Sequence, residues 1–110
     1  MTEPTEMNRM RAAMHEKCGW DYIYRQLAEE CAELNKAALK LIRTVNKETP
    51  MPLDEAARDY VEELADAWLM IAIARTDLTE AEQEYFRECV AFKGNRLLER
   101  MTGYDRSSEP

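Results

Sequence analysis

Two pairs of acidic residues are spaced as metal ligands often are. Glu30 and Glu33 form an E-x-x-E motif, and Glu63 and Asp66 form an E-x-x-D motif. Residues three apart are neighbours on a helix surface, so each pair can present two carboxylates together. If the two helices pack antiparallel, the four acids converge, and they cannot all stay ionised without a cation. Oxygen ligands suit a hard divalent ion, so we expect Mg²⁺, with Mn²⁺ as the alternative.

Asp66 lies inside a strongly apolar segment. All residues from Leu64 to Ala74 except Asp66 are apolar. A helix that is apolar on all sides is buried on all sides, and this one is too short to span a bilayer. We therefore expect Asp66 to be carried into a packed core, where a carboxylate must be neutralised, paired or bound to metal. The part after Asp66, residues 67–74, is predicted to form core or a subunit interface.

Some of the acids have a simpler interpretation as solvated residues with helical partners. Glu33 can pair with Lys36, and Glu29 with Arg25, because both pairs have helical spacing. We prefer that interpretation for Glu29 and for Glu62. Glu30 differs, because it takes a core position on an apolar line, whose members are Ile23, Leu27, Leu34, Ala38, Leu41 and Val45. We therefore favour a ligand role for Glu30 and Asp66.

Basic residues follow the acids at helical spacing. Lys36 and Lys40 come one and two turns after Glu33, while Lys93, Arg96 and Arg100 share one face of a later helix. Cations beside a metal cluster suit a polyphosphate, whose charge they share with the metal. An ordinary charged surface is the alternative, and we prefer it for Arg100 alone.

The elements that must position these residues are helices, because good helix formers are frequent and glycine and proline are few. A short helix around residues 7–14 should end at Gly19. The second, at about 20–46, would reach about 40 Å, which requires a kink or a packing partner. The third should begin at an Asp54 N-cap and run to about 75. The fourth, at about 80–101, should start with a Thr79–Glu82 capping box and end at Gly103. Gly94 predicts a bend or a close backbone approach in this helix.

The chain is therefore predicted to be one all-α domain, residues 1–110. We expect an antiparallel bundle of about four helices that is completed by oligomerisation. Residues 1–4 and 104–110 are predicted to be loose tails.

Charge and cysteine usage restrict the function. With 22 acidic and 15 basic residues the net charge is −7, which disfavours nucleic-acid binding. The three cysteines are odd in number and lack C-x-x-C spacing, so we expect reduced thiols in the cytoplasm. No signal peptide or membrane segment is predicted. The one histidine, His15, has no metal-ligand spacing and is interpreted as a surface helical residue.

Three stretches of the sequence resemble the MazG-like group of all-α nucleoside triphosphate pyrophosphohydrolases. They are Glu29-Glu30-Cys31-Ala32-Glu33-Leu34, Glu62-Glu63-Leu64-Ala65-Asp66 and Lys93-x-x-Arg96-Leu97-x-x-Arg100-Met101. The resemblance covers the chain from about Gly19 to Met101. It implies that a (d)NTP and water give a (d)NMP and pyrophosphate, in a homodimer or homotetramer. It also implies that Mg²⁺ is held by Glu30, Glu33, Glu63 and Asp66, and that Lys93 and Arg96 contact phosphate.

Individual residues can be assigned roles in this expected hydrolysis reaction. A glutamate not fully used by metal, Glu30 or Glu33, would orient or deprotonate the attacking water. Lys93, Arg96 and Lys36 would bind the phosphates. Trp20, Tyr22 and Tyr24 can stack on a base, although aromatic residues at a helix start more often pack. Some branches of the group have an asparagine at a fixed distance after the last-helix lysine; here Asn95 follows Lys93 too closely for that role to be assigned.

Two other functions are alternatives to nucleotide hydrolysis. The first is a non-catalytic helical protein that only dimerises or binds partners. The second is a carboxylate-bridged di-iron bundle, which wants Glu-x-x-His on two helices. His15 is not so placed, and this function ranks last.

Overall fold

The computed structural model describes residues 4–103, which contain four α-helices and no strand. They are α1 (Pro4–Cys18), α2 (Tyr22–Val45), α3 (Leu53–Thr76) and α4 (Glu80–Thr102). The predicted all-α class is confirmed. Of the two predicted tails, residues 1–3 and 104–110 lie outside the described residues, whereas Pro4 is the first residue of α1.

The chain divides into two compact units, residues 1–77 and 78–110. The first contains α1, α2 and α3, and the second contains α4. The assignment of all 110 residues to one functional domain stays a prediction.

Helices α2 and α3 form an antiparallel hairpin. Ile23, near the start of α2, clusters with Met70 and Ile73, near the end of α3. Further along α2, Ala37 lines the same cleft as Asp59, which lies near the start of α3. The helices therefore run in opposite directions. The expected long second helix needs no kink to be accommodated, because α3 has the same length of 24 residues and packs against it.

Residues with restricted solvent exposure recur on both helices at alternating steps of four and three. On α2 this series is Ile23, Leu27, Glu30, Leu34, Ala37, Leu41 and Thr44, and on α3 it is Ala56, Tyr60, Glu63, Ala67, Met70 and Ala74; other residues of low exposure, such as Ile73, lie beside it. This alternation is typical of helices that pack along one line, which we call the seam. Glu30 and Glu63 occupy seam positions. Val45 was placed on the apolar line, but it is exposed and Thr44 is buried instead.

The tightest packing lies at one end of the hairpin. Ile23 and Ile73 are 1% and 0% exposed, and Met10 and Met14 of α1 pack against their cluster. Burying a side chain of this size contributes about 1.5–3 kcal/mol. Helix α1 thus closes the core over the start of α2 and the end of α3.

Two polar contacts tie α1 to the end of α3. An Arg11 guanidinium nitrogen donates a hydrogen bond to the carbonyl oxygen of Thr76. His15 Nε2 lies 2.8 Å from Asp77 Oδ1. His15 is a helical residue with a 33% exposed side chain, but it is also paired with Asp77, a partner that periodicity along α1 cannot indicate.

The helix ends agree with the capping residues predicted from sequence, except at the start of α3. Thr79 accepts a hydrogen bond from the Glu82 amide, and the Glu82 carboxylate accepts one from the Thr79 amide, so the capping box is confirmed. Gly19 and Gly103 both have positive φ, at 94° and 72°, and close α1 and α4 as expected. The predicted Asp54 N-cap is wrong, because Pro52 holds that position. Proline needs no amide partner there, so the helix starts earlier and Asp54 falls in its first turn.

Gly94 does not interrupt α4, which continues from Glu80 to Thr102. Apart from the neighbouring residues and nearby backbone of α4 itself, no described atom lies within 4 Å of the position that a Cβ at Gly94 would take. The predicted close backbone approach is therefore not found among the described residues.

The apolar segment of α3 is not buried on all sides. Ala67, Met70 and Ile73 are buried, but Leu64, Trp68 and Ile71 are 43%, 51% and 42% exposed. Asp66 is also exposed, so its predicted burial in the core was wrong. The reason is geometric: α2 and α1 cover one side of α3, and a uniformly apolar sequence does not reveal which side. We call the exposed residues Val61, Leu64, Trp68 and Ile71 the apolar face of α3.

Between residues 4 and 103 there is no helix with the length and hydropathy needed to cross a membrane.

Candidate metal centre

Three carboxylates converge between α2 and α3. One oxygen from each of Glu30, Glu63 and Asp66 lies within 4.8 Å of the other two. The arrangement follows from local structure. Glu63 and Asp66 share a face of α3 because they are three residues apart, and the antiparallel packing of α2 brings Glu30 to the same level. We call these three residues the acid cluster.

The acid cluster spans the boundary between packed and solvated regions. Glu30 and Glu63 lie in the seam and are half-buried, whereas Asp66 is exposed. A ligand could therefore reach the cluster from solvent on the Asp66 side, while the other two carboxylates are held by the packed helices.

The electrostatics of the cluster centre on Glu63. Its pKa is raised above the ordinary glutamate value, first by partial burial and then by the neighbouring charges of Asp66, Glu30, Glu33 and Glu62. Both causes disfavour the ionised form. A cation bound among these acids would remove that penalty.

Glu33, the fourth expected ligand, is not part of the acid cluster. Its side chain is exposed, and Oε1 lies 3.4 Å from Lys36 Nζ. It is still near enough to contribute to the raised pKa of Glu63. The structure thus brings together three of the four acids named from sequence and places the fourth beside them.

The other proposed ion pair has different partners. Arg25 Nε lies 2.7 Å from Asp21 Oδ2, and Glu29 accepts a hydrogen bond from Gln26 at 3.2 Å. Glu29 is nevertheless exposed, as a solvated acid should be. It provides a natural control for the acids of the cluster.

A cleft with a volume of about 280 Å³ continues from the acid cluster between the two helices. Both signs of charge line it. Its residues are Glu33, Lys36, Ala37, Lys40, Asp59, Glu62 and Glu63, and we call it the lysine–acid cleft. Asp59 was not among the predicted site residues. It lies one helical turn before Glu63, so its place on the same face of α3 was detectable from spacing.

The basic residues of α4 form a separate surface feature in the second unit. Lys93, Arg96 and Arg100 line a groove of about 280 Å³. The Arg96 guanidinium carbon is 5.7 Å from the centroid of the Phe92 ring, a distance typical of a cation–π contact. The role of Lys93 and Arg96 in phosphate binding stays a prediction.

The aromatic residues considered for base stacking lie at the start of α2. Trp20 and Tyr24 are 76% and 60% exposed, and their rings meet edge to face at a centroid distance of 6.2 Å. A role in stacking on a base stays a prediction for them as well.

The residues of the acid cluster fit a hard divalent cation. All three donors are carboxylate oxygens, the ligand type that Mg²⁺ prefers. Their oxygens lie within 4.8 Å of one another, so after small side-chain rotations one hard cation could contact all three.

Comparison of the chain with protein-family models, with curated proteins and with solved structures gave no significant match.

Proposed function

We propose that this chain is a divalent-metal-dependent nucleoside triphosphate pyrophosphohydrolase, which converts a (d)NTP and water to a (d)NMP and pyrophosphate. The observation that carries the proposal is the convergence of Glu30, Glu63 and Asp66 from two facing helices. The resemblance of the E-x-x-E and E-x-x-D stretches to the MazG-like group supplies the reaction type.

The acid cluster would hold Mg²⁺, and Glu33 would complete the set by exchanging Lys36 for the metal. When bound, the cation would lower the pKa of a coordinated water and share the negative charge of the phosphate oxygens. Exposed ion pairs contribute only about 0–1 kcal/mol, so the Glu33–Lys36 pair opens readily.

The remaining steps fall to other side chains. Glu33 or Glu30, whichever carboxylate is not fully used by the metal, would orient the attacking water and accept its proton. Lys36, released from Glu33, would bind a phosphate oxygen. A phosphate-binding role for Lys93 and Arg96 of α4 is also part of the proposal.

The direct test is pyrophosphate release from a panel of nucleotides in the presence of Mg²⁺. Glu63→Gln and Asp66→Asn keep size and hydrogen-bonding capacity but remove a metal-binding charge. We expect each to lower turnover by at least about 10- to 100-fold, the loss seen when residues that merely orient metal ligands are replaced. Glu29→Gln is the matched control, because Glu29 is an exposed acid of α2 outside the acid cluster.

Two results would contradict the proposal. One is the absence of turnover of every nucleotide by the wild-type protein. The other is equal turnover by wild type, Glu63→Gln and Asp66→Asn, since that would leave the acid cluster without a role in the chemistry.

The exposed apolar face of α3 favours a second candidate, a non-catalytic helical association protein. A surface of this kind often marks a protein–protein contact. This candidate predicts that Mg²⁺ leaves the melting temperature unchanged, whereas a metal enzyme is stabilised by the ion that it binds. The two functions can therefore be separated before any substrate is known.

Assembly and location complete the proposal. We propose a homodimer or homotetramer in which the apolar face of α3 is covered by another copy. The expected substrate is a soluble nucleotide, and the three free cysteines suit a reducing compartment. We therefore place the proposed activity in the cytoplasm, without nucleic-acid or membrane partners.

A further inference from the structure

We infer that Lys40 binds the terminal phosphate of a polyphosphate chain in the lysine–acid cleft, so that the site selects triphosphates over shorter chains. This inference rests on the proposed metal-dependent activity. It adds a residue that determines specificity and a mutual dependence between the two ligands.

The charged residues of α2 follow one another in a fixed order along the cleft. Lys36 and Lys40 come one and two turns after Glu33, and one turn is about 5.4 Å along the helix axis. Both lysines line the same cleft as Glu63 of the acid cluster. A chain of phosphates that begins at the acid cluster would therefore meet Lys36 first and Lys40 next.

The side chains of the two helices lean in opposite directions along the cleft. Side chains on a helix lean towards its N-terminus. The Lys40 side chain consequently leans back along the cleft towards Lys36 and Glu33. Because α3 runs antiparallel, Asp59 and Glu62 lean the opposite way along the other wall. Lys40 is one of the residues that line the cleft between the two helices.

The two lysines of the cleft differ in their ion pairing. Lys36 Nζ lies 3.4 Å from Glu33 Oε1. Among residues 4–103, the Lys40 ammonium has no ion pair and no hydrogen bond. Its charge is set across a cleft from Asp59 and Glu62, so a bound anion could contact it without first displacing a carboxylate.

The acids of the cleft set a condition on this anion. Asp59, Glu62 and Glu63 repel a bare polyphosphate, and the two lysines alone do not outnumber them. A divalent cation at the acid cluster would offset part of this negative charge and could bind the phosphate oxygens directly. Polyphosphate should therefore bind only with the cation, and by thermodynamic linkage each ligand should raise the affinity for the other.

The test uses the full chain and two inorganic probes, tripolyphosphate and pyrophosphate, in calorimetric titrations with and without Mg²⁺. For Lys40→Gln we expect tripolyphosphate binding to weaken by about tenfold, the effect of losing one charge-assisted hydrogen bond, with little change for pyrophosphate. Lys40→Arg should restore the binding. Lys17→Gln is the control, because Lys17 is an exposed lysine of α1 that does not line the cleft.

A melting curve with Mg²⁺ alone tests the metal site separately. If Mg²⁺ stabilises the protein but wild type and Lys40→Gln bind tripolyphosphate equally, the inference is overturned and the metal site stands. Equal tripolyphosphate binding without Mg²⁺ would overturn the mutual dependence. If wild type neither responds to Mg²⁺ nor turns over any nucleotide, the proposed function fails, and the inference fails with it.

Discussion

The carboxyl group of Glu63 lies at a seam position where an apolar side chain would pack without conflict. Partial burial and four neighbouring acids raise its pKa. An ionised carboxylate at such a seam position lowers the stability of the fold unless a cation neutralises it. Stability measurements on this one residue can therefore report on the site without any substrate.

The pH dependence of stability has a definite sign. Because the folded-state pKa of Glu63 is raised, the unfolded chain loses this proton first as the pH rises. Its contribution thus destabilises the fold increasingly from the ordinary glutamate pKa up through the raised value. In a chelator we expect Glu63→Gln to melt above wild type at pH 7, and the difference to vanish below about pH 4.

Thermal melts followed by circular dichroism would measure this effect. Glu29→Gln serves as the control and should show no comparable gain. Added Mg²⁺ should raise the melting temperature of wild type more than that of Glu63→Gln. A Glu63→Gln variant that melts below wild type at pH 7 in chelator would contradict the assigned electrostatics.

At the scale of an element, α3 presents a packed side and an apolar exposed side. Ile73 is fully buried with Ile23 and Met70, whereas Ile71, two residues earlier, is 42% exposed. The same side chain therefore occurs on one helix in two environments. Their comparison separates the effect of packing from that of helix propensity.

We expect Ile73→Ala to lower the free energy of unfolding by about 2–5 kcal/mol, the range for truncating a buried aliphatic residue. Ile71→Ala should cost clearly less in dilute protein, because its side chain leaves a smaller void. Urea unfolding of both variants at low protein concentration would measure the difference. Equal losses would contradict the packed side assigned to α3.

Much of the element structure was predictable because its signals are local. The Thr79–Glu82 capping box and Gly19 and Gly103 placed helix ends to within about two residues. The N-cap prediction for α3 was wrong because Pro52, rather than Asp54, takes the N-cap position. The partner of His15 lies 62 residues away, so no periodicity along α1 could identify it.

The sequence predicted which acids form the candidate site better than it predicted how buried each acid is. The spacing of the acids correctly indicated that Glu30 meets Glu63 and Asp66, because helix periodicity and antiparallel packing determine that contact. It did not distinguish Asp66, at the solvent edge, from Glu63, in the seam. That distinction depends on which side of α3 faces α2, and an apolar run leaves the choice open.

At the scale of the whole molecule, the apolar face of α3 predicts self-association. Val61, Leu64, Trp68 and Ile71 are all more than 40% exposed, and Val61, Leu64 and Trp68 line a common groove. Covering such a surface with a second copy would remove apolar area from water. We therefore expect the wild-type protein to be dimeric or larger in solution.

Sedimentation velocity would test the association. Trp68→Lys should shift the protein towards monomer, because a charge would be buried in the contact. Tyr85→Lys is the control, since Tyr85 is an exposed aromatic residue of α4 outside that face. A wild-type protein that remains monomeric at the highest concentration tested would rule out this use of the surface.

The two contacts that tie α1 to the end of α3 also have a consequence for biosynthesis. Arg11 and Thr76 are 65 residues apart, and His15 and Asp77 are 62 apart. A ribosome makes α1 before either of its polar partners exists. Until the chain reaches Asp77, the apolar side of α1 has no completed hairpin end on which to dock. The first helix in the sequence is therefore the last of the three in its unit that can take its final place.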